Sequence, residues 1–200
     1  LAASFRSLLA LLRSEVAALR PQRVVTIGAS MGGYAAIRAA IVLGAHTAVT
    51  FGPQIFLHPD QRRLLELPYY VMDGPLEGLR CSAAAVGIAL ERHSLATLAL
   101  GARGSPDGAT KIVMHVGSRN DLLEARLLQQ AVRQNNASIT ADVHYHLRHG
   151  HNLAFMLRED GFLEPIIRAH LAPLAAAQPN DAVGSVASLV ASDNNNEAPP

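Results

Sequence analysis

The stretch VVTIGASMGG, residues 24–33, decides the fold of this chain. Its first half is apolar and β-branched, which predicts a buried strand, and a helical pattern follows directly over residues 34–40. Residues 28–32 form the pattern G-x-S-x-G between them. A strand, a sharp turn with a central serine and then a helix are together typical of a nucleophile elbow. Ser30 is therefore the candidate nucleophile, at a helix N-terminus where free N–H groups favour developing negative charge.

The two glycines of the pattern have a structural explanation. Without side chains, Gly28 and Gly32 would let the strand and the helix approach each other closely. A glycine-rich turn of this kind also binds phosphate, so a structural or anion-binding turn is the alternative. The dinucleotide pattern G-x-G-x-x-G is excluded by Ser30, and the phosphate-loop pattern is excluded by Tyr34 at the position of its lysine.

Composition limits the classes of function that fit. The chain has 200 residues, half of them hydrophobic, which suits one domain with a sizeable core. A net charge of +1 without a basic cluster argues against a nucleic-acid partner. No apolar run approaches the roughly 20 residues that span a bilayer. The single cysteine, Cys81, fits a reducing compartment, so we expect a cytoplasmic protein.

Strand and helix patterns alternate along the chain, which predicts an α/β fold with a mostly parallel sheet and flanking helices. Strands are predicted over residues 23–28, 46–51, 111–116 and 139–147, and helices over residues 2–19, 31–43, 121–134, 152–158 and 162–171.

Two parts of the chain are less regular. Prolines interrupt residues 53–110, where the pattern predicts only a helix within residues 84–100. Residues 175–200 lose periodicity and become rich in Ala, Asn, Ser and Pro. We therefore predict a domain over residues 1–172 and a disordered tail over residues 173–200.

Three residue types with complementary chemistry follow three of the predicted strands. Sites in parallel sheets lie outside the carboxyl ends of the strands, where Ser30, Asp121 and His151 are placed in that order. A serine hydroxyl needs a base to take its proton, and an aspartate can fix the tautomer of that base. The backbone N–H of Met31, directly after the serine, would stabilise an oxyanion.

These pieces resemble the α/β-hydrolase superfamily. The matching motifs are GASMGG at residues 28–33, GSRND at residues 117–121 and GHN at residues 150–152. Residues 150–163 look like the histidine loop and last helix of small, cap-poor bacterial hydrolases, and residues 51–54 like the strand end after the elbow helix.

The resemblance covers residues 1–172 and implies a function. By resemblance, Ser30 is the nucleophile, Asp121 the acid and His151 the base of a serine hydrolase that cleaves a carboxylic ester or thioester through an acyl-enzyme. No cofactor is implied. That fold has several strands before the elbow, whereas one helix precedes it here, so we expect an N-terminally truncated form of the fold.

Neighbouring residues offer alternatives for two of these roles. His149 shares the loop of His151, which we prefer because Gly150 permits a tight turn. Glu124 and Asp142 are weaker alternatives to Asp121, which could also be a plain first-turn acid of its helix.

Three further histidines are expected to be structural. His115 is predicted in the middle of a strand, and His144 and His146 share one face of another strand as packed or solvated residues. A metal site formed by these last two with His149 and His151 is a minor alternative, because no cysteine or clear carboxylate joins them.

Three other functions remain open. An acyltransferase would use the same three residues with an acceptor other than water. A non-catalytic hydrolase-like module would serve binding within a longer protein. A nucleotide-binding α/β domain is disfavoured because the phosphate-loop patterns are missing. The expected partner is a small acyl ester, and the oligomeric state is not predicted.

Overall fold

The structure is a computed structural model that describes residues 5–67, 74–75, 77–78, 81–82, 95–101, 109–135 and 138–172. The predicted tail over residues 173–200 and most of the predicted helix over residues 84–100 lie outside the described residues. Among the described helices, none combines the length and the apolar character needed to cross a membrane.

Within the described residues, four parallel strands form a sheet in the order β1-β2-β3-β4. The strands are β1 (Val25–Ala29), β2 (Thr47–Phe51), β3 (Thr110–Val116) and β4 (Ile139–Tyr145). All four lie where strand patterns were predicted, and the prediction of an α/β fold with a parallel sheet is confirmed.

Seven helices are described: α1 (Phe5–Leu19), α2 (Met31–Leu43), α3 (Pro59–Leu64), α4 (Leu95–Gly101), α5 (Arg119–Asn135), α6 (Leu153–Glu159) and α7 (Leu163–Leu171). Helix α3 was not predicted, because the prolines around it break the apolar periodicity. Its start carries a local signal, however. Pro59 occupies the first turn, and the His58 ring accepts a hydrogen bond from Asp60 N at 3.2 Å.

The core lies on both faces of the sheet. Every residue of β2 is buried, and successive residues point to opposite faces. On one face, Ala48 belongs to the larger of two apolar clusters, which includes residues of α2, α4 and α5. Val49 and Phe51 pack on the other face with Leu153 and Leu157 of α6. Strand β2 therefore lies between two apolar layers, which is the usual environment of a strand in a parallel sheet.

The first strand is less protected. Among the described residues, β1 pairs with β2 alone, and the Ile27 side chain is 42% exposed. Helix α1 lies beside α2, where Arg13 donates a hydrogen bond to Val42 O at 2.9 Å.

The close approach of strand and helix at the elbow depends on Gly28. A Cβ atom on Gly28 would lie 2.1 Å from the carbonyl oxygen of Gly32. The matching explanation for Gly32 is wrong, because a Cβ atom there would meet nothing within 4 Å. Gly28 therefore has to be a glycine. Gly32 takes part in this contact only through its backbone carbonyl, so a side chain at position 32 would not disturb it.

This difference predicts opposite effects for two similar substitutions. Gly28→Ala should lower the free energy of unfolding by about 2 kcal/mol or more, because the added methyl group forces strand and helix apart. Gly32→Ala is the matched control and should be neutral or stabilising by up to about 1 kcal/mol, as alanine is in a helix. Urea denaturation of both variants measures this, and equal losses would contradict the explanation.

Candidate active site

Ser30 lies directly after β1, in a backbone conformation that serine rarely adopts. Its φ is 52° and its ψ is −122°. Ser30 N donates to Phe51 O at 3.0 Å, and Ser30 O accepts from Gly33 N at 2.9 Å. A positive φ costs free energy in any residue other than glycine, so contacts with the surrounding structure must hold Ser30 in this conformation. Although Ser30 is the N-cap residue of α2, its side chain makes no capping hydrogen bond. The hydroxyl is therefore directed to another partner.

That partner is the His151 ring. Ser30 Oγ lies 2.9 Å from His151 Nε2. The other ring nitrogen, Nδ1, lies 3.0 Å and 3.2 Å from the two carboxylate oxygens of Asp121. A carboxylate only accepts hydrogen bonds, so the neutral ring carries its proton on Nδ1 and accepts the serine hydroxyl on Nε2. The structure thus brings the three predicted residues together in one chain of hydrogen bonds.

The carboxylate is the most enclosed member of this chain. Asp121 is buried, and its N–H donates to Ser118 Oγ at 3.1 Å, which fixes the first turn of α5. The His151 side chain is 20% exposed. The acid is therefore enclosed by the protein, whereas the ring keeps part of its surface in contact with solvent.

Two glycines make room for this arrangement. A Cβ atom on Gly52, whose φ is +53°, would lie 3.0 Å from His151 O and 3.5 Å from Asp121 Oδ2. A Cβ atom on Gly117 would lie 2.4 Å from Gly150 O. The loops after β2 and β3 therefore pass close under the histidine loop only because both positions lack a side chain.

Met31 is placed as predicted, as the first residue of α2. Its N–H cannot have a partner within the helix, since the first four N–H groups of any helix lack one. The Met31 side chain is exposed. Its backbone N–H is thus a candidate donor beside the serine.

The alternative residues make other contacts. His149 Nε2 lies 2.8 Å from Asp160 Oδ2. Asp142 lies 3.0 Å from Lys111 Nζ across the β3–β4 pair. Neither is joined to Ser30 by the described hydrogen bonds.

Glu124 has a separate position one helical turn after Asp121. Its buried carboxylate pairs with Arg62 of α3 and accepts hydrogen bonds from Ile55 N at 2.9 Å and Phe56 N at 3.2 Å. It therefore connects α5 to the segment that follows β2. Sequence reasoning missed this role, because Arg62 lies on the unpredicted helix α3.

The structural histidines form a stacked cluster on the α6 face of the sheet. The His115 ring stacks between the rings of Phe51 and His144. Its Nδ1 lies 3.1 Å from His146 Nε2, and the His146 ring meets the His149 ring edge-on. In the part of the chain that the structure describes, no group of three or more His, Cys, Asp or Glu residues is arranged to hold a metal ion.

Burial changes the acidity of this cluster. Burial, with the neighbouring His144, His146 and His170, lowers the pKa of His115 from 6.5 to about 3. Burial, with His149 and His144, lowers the pKa of His146 to about 4. The His115 and His146 rings are therefore largely neutral in the folded protein at neutral pH.

The features above define a class: a parallel α/β protein with a serine on a strand-to-helix turn, bonded through a histidine to an aspartate. A scan against protein-family models matched none of them, and a search of curated proteins found no match either. Solved structures match at low identity. A hormone-sensitive lipase from a metagenome library gives a TM-score of 0.56 at 15% identity, over 85% of this chain and 61% of that one.

Two further structures match in the same way. Brefeldin A esterase, a bacterial homologue of human hormone-sensitive lipase, gives a TM-score of 0.53 at 21% identity, over 83% of this chain and 52% of that one. A capsule O-acetyltransferase of Neisseria meningitidis serogroup A gives 0.51 at 15% identity, over 80% and 63%. The chain spans less than two thirds of the length of each. The chain has the α/β-hydrolase fold, as its motifs predicted.

The histidine cluster predicts a loss of stability in mild acid. Unfolded histidines bind protons below pH 6.5, whereas His115 in the folded protein does so only near pH 3. The unfolded state therefore binds more protons in between, and stability falls as the pH falls below 6.5. His115 alone should cost about 2 kcal/mol between pH 7 and pH 5. Urea denaturation at both pH values measures the change. In His115→Phe, this loss of stability between pH 7 and pH 5 should be smaller by about 2 kcal/mol. An unchanged loss in that variant would refute the assignment of the pH dependence to His115.

The buried ion pair of Glu124 and Arg62 predicts that removing one charge costs more stability than removing both. Glu124→Gln leaves the Arg62 charge buried without its carboxylate, so it should lower the free energy of unfolding by about 3–5 kcal/mol. Arg62→Met combined with Glu124→Gln should cost less than Glu124→Gln alone, because the buried positive charge is removed together with the carboxylate. The exposed pair of Glu164 and Arg168 provides the control, since Glu164→Gln should change stability by less than about 1 kcal/mol. A double variant less stable than the single one would contradict this account.

Proposed function

We propose that this chain carries the catalytic site of a serine esterase that cleaves a carboxylic ester or thioester. One observation carries the proposal: the unbroken series of hydrogen bonds from Ser30 Oγ through the His151 ring to the Asp121 carboxylate. Each distance is within the range in which a base can take a proton. The α/β-hydrolase fold supports the proposal through the position of the serine at the carboxyl ends of the strands.

In the proposed reaction, Ser30 Oγ attacks the carbonyl carbon of the ester while His151 Nε2 takes the hydroxyl proton. Asp121 holds the ring orientation and stabilises the positive charge that the ring gains. Met31 N–H donates to the carbonyl oxygen as it becomes negative. The bond to the alcohol oxygen then breaks, and that oxygen receives the proton from His151.

The acyl group at this stage is bonded to Ser30 Oγ. A water molecule attacks its carbonyl carbon and gives its proton to His151, which returns a proton to Ser30 Oγ as the carboxylic acid leaves. These steps use the side chains of Ser30, His151 and Asp121 with the backbone N–H of Met31, and none of them needs a cofactor.

Acyl transfer is the second candidate. An alcohol acceptor in place of water would use the same three side chains in the second half of the reaction. A capsule O-acetyltransferase is among the proteins that share this fold. The choice between water and an alcohol depends on what the site binds beside the acyl-serine.

Serine reactivity separates both enzymatic proposals from a non-catalytic module. A fluorophosphonate probe, followed by intact mass, should add one adduct to the chain and none to Ser30→Ala. Asp121→Asn and His151→Gln should slow labelling by about 10³-fold or more, because the hydroxyl then lacks an oriented base. Ser14→Ala, on the exposed side of α1, is the matched control and should be labelled like the unaltered chain. Labelling that persists in Ser30→Ala, or no labelling at all, would contradict the proposed function.

A further inference from the structure

Segment 52–56, the stretch that follows β2, packs against the turn that carries the nucleophile. Gln54 N donates a hydrogen bond to Ser30 O at 3.2 Å. One residue earlier, Pro53 lies so close to α2 that a Cβ atom on Gly33 would be 2.8 Å from Pro53 Cβ. The segment therefore contacts the elbow at two points, one of them the carbonyl of the nucleophile itself.

These contacts support a backbone conformation that needs support. The φ of Ser30 is 52°, which persists in a residue other than glycine only where the surrounding structure holds it. Beyond its own helix, the Ser30 N–H donates to Phe51 O at 3.0 Å, and the Ser30 carbonyl accepts from Gln54 N. Both hydrogen bonds join Ser30 to the end of β2 and the segment after it, so a shift of that segment would also shift the turn that directs the hydroxyl.

A buried carboxylate on α5 fixes the far end of the segment. Glu124 Oε2 accepts hydrogen bonds from Ile55 N at 2.9 Å and from Phe56 N at 3.2 Å. Glu124 Oε1 pairs with Arg62 Nη1, and both side chains of this pair are buried. A buried N–H group that loses its acceptor costs free energy, so these hydrogen bonds oppose any movement of the segment away from α5. The segment is thus tied to α5 at the two residues that follow Gln54.

The same helix carries the acid of the proposed site. Asp121 and Glu124 are separated by one turn of α5, so they are neighbours on its surface. The Asp121 carboxylate orients the His151 ring, whereas Glu124 is connected to Ser30 through segment 52–56. Helix α5 therefore acts on both partners of the hydrogen bond between Ser30 Oγ and His151 Nε2, whose length determines whether a proton can pass.

We infer that Glu124 is a positioning residue for the proposed reaction: by holding segment 52–56 against the elbow, it keeps Ser30 Oγ within hydrogen-bond distance of His151. This inference rests on the function proposed above and adds to it a residue that acts through the backbone rather than on the reacting atoms. A displacement of about 1 Å can slow a reaction about 10²-fold. Loss of this anchor should therefore slow attack by the serine while the protein remains folded.

The test compares two double variants that both lack the buried charges. Arg62→Met/Glu124→Gln keeps a side-chain oxygen that can accept from Ile55 N and Phe56 N, whereas Arg62→Met/Glu124→Met has no acceptor there. With both variants shown to be folded by circular dichroism, the second should react with the fluorophosphonate probe about tenfold to a hundredfold more slowly than the first. Equal rates in the two folded variants would overturn the inference.

A shorter carboxylate provides a further variant, which also serves if Arg62→Met/Glu124→Met does not fold. Glu124→Asp keeps a negative charge beside Arg62 but withdraws the carboxylate by one methylene group from Ile55 N and Phe56 N. It should therefore be labelled about tenfold more slowly than the unaltered chain. An unchanged labelling rate in Glu124→Asp would overturn the positioning role.

A matched control separates this effect from a general loss of stability. Val132→Ala removes buried packing about two helical turns further along α5, so it should lower the stability and leave the anchor of segment 52–56 in place. Its labelling rate, measured where the variant is fully folded, should stay within about threefold of that of the unaltered chain. A loss as large as that caused by Glu124→Asp would show that destabilisation alone slows the reaction, which overturns the positioning role.

Amide hydrogen exchange distinguishes failure of this inference from failure of the proposed function, because it needs no reaction at the serine. Relative to the Val49 amide inside β2 of the same sample, the Gln54 amide should exchange about tenfold faster in Arg62→Met/Glu124→Met than in Arg62→Met/Glu124→Gln. If the unaltered chain is not labelled, the esterase proposal fails, and this difference still supports the anchoring of Ser30. Equal relative exchange in the two variants overturns the anchoring itself.

Discussion

Ala29, Phe51 and His115 are register partners near the carboxyl ends of β1, β2 and β3, and this parallel alignment determines where every later residue can lie. Two backbone bonds extend the alignment past the strands. Ser30 N donates to Phe51 O, and Gly52 N donates to His115 O. The turn after β1 and the loop after β2 are therefore fixed to their neighbouring strands before any side chain of the site takes part.

The backbone has to come unusually close at three points for the site to form. Gly28 admits the carbonyl of the elbow helix, Gly52 lies under His151, and Gly117 admits the carbonyl of Gly150. The positive φ of Ser30 belongs to the same geometry, since it turns the hydroxyl away from its own helix. Free energy is thus lost at Ser30 and offset by packing elsewhere in the sheet, as at many functional sites.

The sequence was sufficient for the fold and for Ser30, Asp121 and His151 as candidates, because strand patterns and polar strand ends are local signals. It was insufficient for contacts between distant elements. The pairing of Glu124 with Arg62 depends on helix α3, which its prolines concealed, and the stacking of His115 on His144 depends on the register of β3 with β4. Gly32 was misassigned for a related reason, since the space around a glycine is known only once its neighbours are placed.

Two buried polar residues near the site show how differently such groups can be used. Glu124 is fully engaged, with Arg62 and two backbone N–H groups around its carboxylate, and so it serves the structure. Gln54 is as buried, yet its amide has no partner among the described residues. A fold that satisfies a full charge so completely, one residue away along the same segment, has the means to satisfy a neutral amide. Burial alone therefore does not assign a role to a polar group, because a fully paired carboxylate and an unpaired amide are buried to the same extent along one segment.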